Sequence, residues 1–362
     1  MKISDFDYHL PPESIAQRPL AERDASRMLL LSRATGEYDD RYFRELPDLV
    51  RGDELIVINS ARVLPARLFG HRAGVRSQPP GRHNPANKEF LTGEIEVLLV
   101  RQLETDVWEA LVRPGRKVKV GERIHFGEGE LEAHVEARGE FGLRRLRFTA
   151  QGDFRAIVEK LGHIPLPPYI KREDEASDRE RYQTVFAQQG SAVAAPTAGL
   201  HFTPEIVSRI RARGCEIAEL QLDVGLGTFE PVRTEVLEEH RIHGESYEIS
   251  EHTVAAISRA VRDKRPVLAV GTTVVRAIED AAEKSRGATE LKVGKSEAGI
   301  FLYPGKSFRV VTQLLTNFHL PQSTLLAMVV AFAGRENVLN AYNHAVESGY
   351  RFYSYGDCML IR

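Results

Sequence analysis

The chain has 362 residues, 42% hydrophobic and 28% charged, with a formal net charge of −2, which suits a globular protein of about two domains and excludes a bulk polyelectrolyte. Cys215 and Cys358 are too few for a disulfide framework and too far apart in sequence for a thiolate zinc site. The opening MKISDFDYHLPPE lacks the apolar core of a signal peptide and the most apolar run, Leu325 to Ala333, is about half of a bilayer span, so a cytoplasmic protein without membrane contact is expected.

In chain order, Glu54 to Asn59 (ELIVIN) reads as a buried strand. It leads into NSARVLPAR, where Arg62 and Arg67 offer guanidinium forks suited to phosphate or carboxylate, or are ordinary surface arginines. From about Arg67 to Phe148, short alternating runs (GEIEVLLV, VWEALV, ERIHFG, ELEAHVEA, GLRRLRFT) are separated by Gly and charged turns, the pattern of a small antiparallel barrel. Residues 61–147 carry 16 Lys/Arg against 12 Asp/Glu, a local excess that permits contact with a polyanion without requiring it. Within this region, 73–90 has no periodicity and reads as a mobile surface loop. LGHIPLPPYIKRED, at 161–174, is a proline-stiffened connection back to the body. The barrel, 63–148, is therefore inserted in an α/β body of residues 1–62 and 149–362.

The second half repeats strand, loop and helix. Ala192 to Ala195 ends a strand before APTAGLHFT, and Thr203-Pro204 pairs a good N-cap with a good first helical residue. Cys215 to Val224 is a strand before GLGTFEP. Pro266 to Val270 precedes GTT and the helical VVRAIEDAAEK, and Phe308 to Leu315 precedes TNFHLP and a helix from Ser323-Thr324. Such repeats predict a largely parallel sheet, whose ligands bind where the strand-end loops converge. Those loops carry His201, His319 and the glycine pair Gly225 and Gly227. Thr272 and Thr273 fall at a helix N-terminus, where unpaired amides attract a carboxylate or phosphate, although simple capping explains them as well. GKS at 294–296 lacks the preceding glycine of a phosphate-binding loop, and HRIHGE at 240–245 lacks the spacing of a zinc motif, so no metal is expected. YRFYSYGDCMLIR at the C-terminus reads either as a stacking surface or as an edge strand.

DFDYHLPPESIAQRP, SRMLLL, NSARVLPARLFG, GHIPLPPYI, RYQTVF, AVAAPTAGLHFT, VGLGTFEPV, VGTTVVRAIE, TNFHLPQSTLLAMVVAFAG and YRFYSYGD stand in this order from one end of the chain to the other. The run resembles the S-adenosylmethionine:tRNA ribosyltransferase-isomerase family of queuosine biosynthesis. The resemblance implies a barrel-like α/β body with an inserted antiparallel β-barrel. It also implies a transferase and isomerase that moves the ribosyl part of S-adenosylmethionine onto 7-aminomethyl-7-deazaguanine at the wobble position of a tRNA anticodon. Epoxyqueuosine-tRNA, adenine and methionine are the products, and S-adenosylmethionine is consumed as a substrate.

Such a reaction needs a base for the proton on the ribose carbon beside the sulfonium and an acid for the departing adenine. His201 is the leading candidate, His319 the second, and Asp223 a third. Phe229, Tyr353 and Tyr355 could offer aromatic faces to the sulfonium. Thr272, Thr273 and Arg276 suit the methionyl carboxylate. Thr197, Gly199, Gly225, Gly227, Thr228 and Asn317 complete the expected substrate-binding set, with Arg62 and Arg67 for tRNA. The family pattern carries histidine where this chain has Asp223, and HSE where it has HGE at 243–245. A monomer is expected. The alternatives are a non-catalytic tRNA-binding protein and an S-adenosylmethionine-dependent methyltransferase; for the latter, ELIVINSARV lacks the required glycine-rich loop.

Overall fold

The run LIVIN at 55–59 is buried at every position, as befits a strand covered on both faces. Its alternate side chains separate: Leu55 and Val57 enter one core with Val274, Ile278 and Phe318, while Ile56 and Ile58 enter another with Phe43, Phe202 and Ile210. In the computed structural model the described residues are 1–73, 75–77, 88–90, 93–225, 234–240, 242, 244–285 and 287–362. They form two units, Met1–Arg62 with Leu166–Arg362, and Val63–Pro165.

The first unit holds a nine-stranded sheet in the order Gly294–Ala298, Glu245–Ile249, Glu216–Leu222, Leu55–Asn59, Val267–Val270, Gln313–Asn317, Cys358–Ile361, Arg27–Leu31, Tyr38–Tyr42. Glu216–Leu222 through Gln313–Asn317 are mutually parallel, as are Cys358–Ile361 and Arg27–Leu31. The other four pairings are antiparallel, so the sheet is mixed rather than largely parallel, and it stays open with two edges. Cys358–Ile361 is an interior strand, buried throughout, and not an edge.

One predicted strand starts late. Residues 308–312 are excluded from the sheet because the buried Glu279 carboxylate accepts the N–H groups of Arg309, Val310 and Val311 at 2.7, 3.0 and 2.8 Å. The predicted helix Pro204–Ala212 is present, with Thr203 Oγ1 accepting from the Ile206 N–H at 3.2 Å. Thr324–Ala333 is capped in the same way by Ser323. Among the described residues no helix is long and apolar enough to cross a membrane.

The second unit is a closed six-stranded antiparallel barrel, with Arg123–Phe126, Leu131–Arg138, Leu143–Ala150, Val107–Arg113, Glu94–Glu104 and Arg67–Arg72 in ring order. Its inward side chains alternate as the sequence does, Ala133 and Val135 packing with Leu146 and Phe148. This unit continues past residue 148, because the helix Phe154–Leu161 packs on it. Phe154 stacks on Trp108 at 5.9 Å and meets Phe148 edge-on at 5.3 Å. The stretch 73–90 is not wholly a loop: Val75–Ser77 pairs antiparallel with Lys88–Phe90, while 78–87 lies outside the described residues.

Candidate active site

At the carboxyl ends of the central strands a cleft opens to solvent. Its walls come from the loops that sequence spacing brought together: Thr197 and Ala198, Val224, Gly271 to Thr273, and Thr316 to His319, joined by Tyr353 and Ser354. Strand Val267–Val270 turns into the helix Thr272–Lys284 through Gly271, whose φ of 93° favours glycine. Glycine has no side chain to cap the helix, so the first-turn N–H groups are left to the cleft. Thr273 is 8% exposed, and its Oγ1 is buried with no partner among the described residues. A helix terminus that is uncapped and carries an unpaired hydroxyl is prepared for an anion.

The two histidines differ. His319 lines the cleft, with Nε2 2.8 Å from Thr316 Oγ1 and no described protein group on Nδ1. When the Thr316 hydroxyl donates to the Asn317 carbonyl at 3.2 Å, it accepts from Nε2–H, and Nδ1 keeps a lone pair facing the cleft. Burial lowers the pKa of His319 to about 3, so the ring is neutral at neutral pH.

His201 does not line this cleft. It is 3% exposed and packs 5.3 Å from the Phe43 ring, with Nδ1 2.9 Å from Ser26 Oγ and Nε2 3.3 Å from Asn317 Oδ1. Asn317 Nδ2 donates to the Tyr353 carbonyl at 2.8 Å, which turns Oδ1 toward His201 and places the imidazole proton on Nε2. Burial lowers the pKa of His201 to about 4, partly opposed by the bond to Asn317. Both ring nitrogens are engaged within the protein, so its geometry is that of a group orienting Asn317. Tyr353 in turn holds φ at 74°, a left-handed conformation that is costly for a bulky residue.

Several expected ligands lie elsewhere. Arg276 is 3% exposed and turned into the core, bonded to the Glu245 carboxylate and, at 3.0 Å, to the Ala298 carbonyl. The other Glu245 oxygen accepts the Gly225 N–H at 3.3 Å, so Glu245 and Gly225 are joined structurally. Tyr355 donates to Asp178 at 2.7 Å, and Arg172 grips the same carboxylate with two nitrogens. Asp223 is outside the cleft, its Oδ1 accepting from Gln221 at 3.5 Å, although its neighbour Val224 is in the wall.

Gly199 serves close packing rather than backbone freedom, since a Cβ there would lie 2.9 Å from Thr184 Cγ2. Gly244 packs against the Glu297 carboxylate, so a serine there requires that flexible side chain to swing. Arg62 lines a surface cleft of the first unit, whereas Arg67 belongs to the barrel unit and pairs with Glu96 at 3.3 Å. Gly227, Thr228 and Phe229 lie outside the described residues. Among the described residues, no group of three or more His, Cys, Asp and Glu side chains is placed to hold a metal ion.

Sequence reasoning missed Tyr169, Thr316 and Ser354. Tyr169, on the proline-rich connection, stands edge-on to Tyr353 at 4.0 Å, and its hydroxyl bonds Ser354. Its neighbours IPLPPYI offered only a rigid linker, with no spacing that tied Tyr169 to a strand end.

An open-sheet α/β body with a strand-end cleft, interrupted by a six-stranded barrel, defines a two-unit α/β enzyme. The profile of the queuosine biosynthesis protein family matches residues 3–361, and the chain belongs to that family. It is 54% identical to a Solibacter usitatus protein and 48% identical to a Carboxydothermus hydrogenoformans protein, both named S-adenosylmethionine:tRNA ribosyltransferase-isomerase, over the full length of each chain. The crystal structure of an S-adenosylmethionine tRNA ribosyltransferase from Thermotoga maritima aligns with 99% of this chain and 100% of its own, at 35% identity and a TM-score of 0.54.

Proposed function

We propose that the protein transfers and isomerises the ribosyl part of S-adenosylmethionine onto 7-aminomethyl-7-deazaguanine at the wobble position of tRNA, releasing adenine and methionine. The observation that carries this reading is the pairing, in one cleft, of the open imidazole of His319 with the uncapped helix terminus at Thr272 and Thr273. The methionyl carboxylate takes the helix N–H groups and Thr273 Oγ1. The Tyr353 and Tyr169 rings offer π faces to the sulfonium. The sulfonium acidifies the adjacent ribose carbon, and neutral His319 receives that proton at Nδ1. Asn317 is held by His201, which acts as a positioning residue. The reading extends to a monomer acting on tRNA in the cytoplasm.

The test is nucleoside mass analysis after incubation with S-adenosylmethionine and tRNA bearing the precursor base. Epoxyqueuosine matched by adenine release is expected. Unchanged precursor, beside a positive control active on the same tRNA, would favour a tRNA-binding protein without this activity. His319→Ala is expected to lower kcat by about 10²–10⁴-fold.

A further inference from the structure

Behind the His201–Asn317 bond lies a second, narrow cleft, lined by Glu22, Arg23, Ser26, Arg181, His201 and Tyr355 among others. Ser354 lies in the wall of both clefts. The charges of the smaller cleft are unbalanced. Arg23 donates only to carbonyls, those of Gln183, Leu200 and Glu180 at 2.8, 3.2 and 2.8 Å. Arg181 donates to the Ala21 carbonyl at 2.6 Å, and its Nε is buried with no partner among the described residues. Arg351, whose field together with that of Arg23 opposes protonation of His201, also has a buried nitrogen without a partner among the described residues.

The nearby carboxylates are mostly committed. Glu22 bonds Arg44 at 3.2 Å, Asp178 is held by Arg172 and Tyr355, and Asp357 accepts the backbone N–H groups of Arg27 and Arg351. Glu180 is exposed. Burial first, and the Arg181 charge second, make it harder for Arg23 to carry its own charge. Glu180 partly offsets the charge of Arg23, and Asp357 that of Arg351, but Arg23 and Arg181 donate to carbonyls and pair with no carboxylate among the described residues. Such partly desolvated guanidiniums are costly, and an oxyanion lowers the cost. Arg23 also lines the neighbouring surface cleft that contains Arg62 and Arg179, which extends the basic surface outward.

We propose that Arg23 and Arg181, supported by Arg351, bind an oxyanion, and that this is a tRNA phosphodiester beside the nucleotide whose base enters the reaction cleft. The choice of tRNA rests on the function proposed above. A carboxylate has the same chemistry, so the methionyl end of S-adenosylmethionine is the competing source. Phosphate contacts fix the register of a nucleic acid without reading sequence, and this cleft is one shared wall residue away from the reacting groups.

The experiment compares wild type with Arg181→Gln and Arg181→Lys, reading filter-bound tRNA across a salt series and the KM for S-adenosylmethionine. Arg181→Gln is expected to weaken tRNA binding about tenfold and to make the log–log salt slope shallower by about 1. Arg181→Lys keeps the slope, because the charge is kept. If the KM for S-adenosylmethionine rises while tRNA affinity holds, the anion is the methionyl carboxylate and the proposal is overturned. If neither moves, the cleft is not an anion site. Should Arg181→Gln fail to fold by circular dichroism, Arg351→Gln is read by the same criteria. Binding is measured without turnover, so an inactive wild type would overturn the proposed reaction while this comparison still decides the phosphate site.

Discussion

His201 and His319 are buried and neutral, and that makes the fold sensitive to acid in a calculable way. Their folded pKa values, about 4 and about 3, lie below the unfolded value of 6.5. The stability they contribute is therefore complete above 6.5 and is lost as the pH falls toward those folded values. At pH 5.0 each imidazole is almost wholly protonated in the unfolded chain and neutral in the folded one, a difference of roughly 2 kcal/mol per histidine relative to pH 7.5. Two such groups give about 4 kcal/mol, a large share of an ordinary domain's stability. Glu279 and Asp357, whose pKa values are raised by burial, act in the opposite sense. The informative quantity is thus the difference between wild type and the double variant His201→Asn/His319→Asn. Urea unfolding at pH 7.5 and 5.0 should be followed by far-ultraviolet circular dichroism, since the one tryptophan, Trp108, reports on the barrel. Wild type should lose about 4 kcal/mol more than the double variant across this window. Equal losses would mean that the two rings are protonated, or solvated, in the folded state.

Thr273→Val deletes a hydroxyl that bonds no described group, so stability should hold while the KM for S-adenosylmethionine rises about five- to tenfold; an unmoved KM would detach Thr273 from the ligand. Arg276→Met strands the buried Glu245 carboxylate and should cost about 3–5 kcal/mol in urea unfolding; unchanged stability would contradict its internal pairing. Gly199→Ala forces a methyl against Thr184 Cγ2 and should destabilise by about 1–3 kcal/mol. Thr184→Ser removes that Cγ2, so in a double-mutant cycle it should relieve most of the penalty; strictly additive losses would refute the contact.

The convergence of VGTT and TNFHLP was legible because strand and helix periodicity are local, and parallel strands place their following loops at one end. APTAGLHFT follows Gln189–Ala192, which lies outside the main sheet in a two-stranded one with Ala61–Val63, so the parallel-sheet argument does not explain its place in the cleft. The facing of a single side chain is not local. His201 looked like a cleft residue because its loop is one, but its ring is turned by Ser26, 175 positions away, and Asn317, 116 positions away. Arg276 lies only a turn beyond Thr272, yet it points into the core because Glu245 waits there. The strand expected from Phe308 was shortened by Glu279, a carboxylate on another element that competes for backbone donors. The barrel was legible strand by strand, since alternation marks its inner face; the helix packed on it through Phe154 was not, because that contact depends on Trp108.

The place of Cys358–Ile361 in the sheet bears on how the chain folds as it is made. Within the sheet, the N-terminal hairpin Arg27–Leu31 and Tyr38–Tyr42 joins the rest only through that strand. At about 5–20 residues per second, the ribosome takes roughly half a minute to reach it after completing the hairpin. For that interval one edge of Arg27–Leu31, the side opposite Tyr38–Tyr42, faces no partner strand, and an open strand edge invites pairing with other chains. The barrel strands, by contrast, all lie between residues 67 and 150 and can close while the rest is still being synthesised. Its first strand made early and paired on that edge only once Cys358–Ile361 emerges, the body depends on whatever shields the nascent hairpin until then.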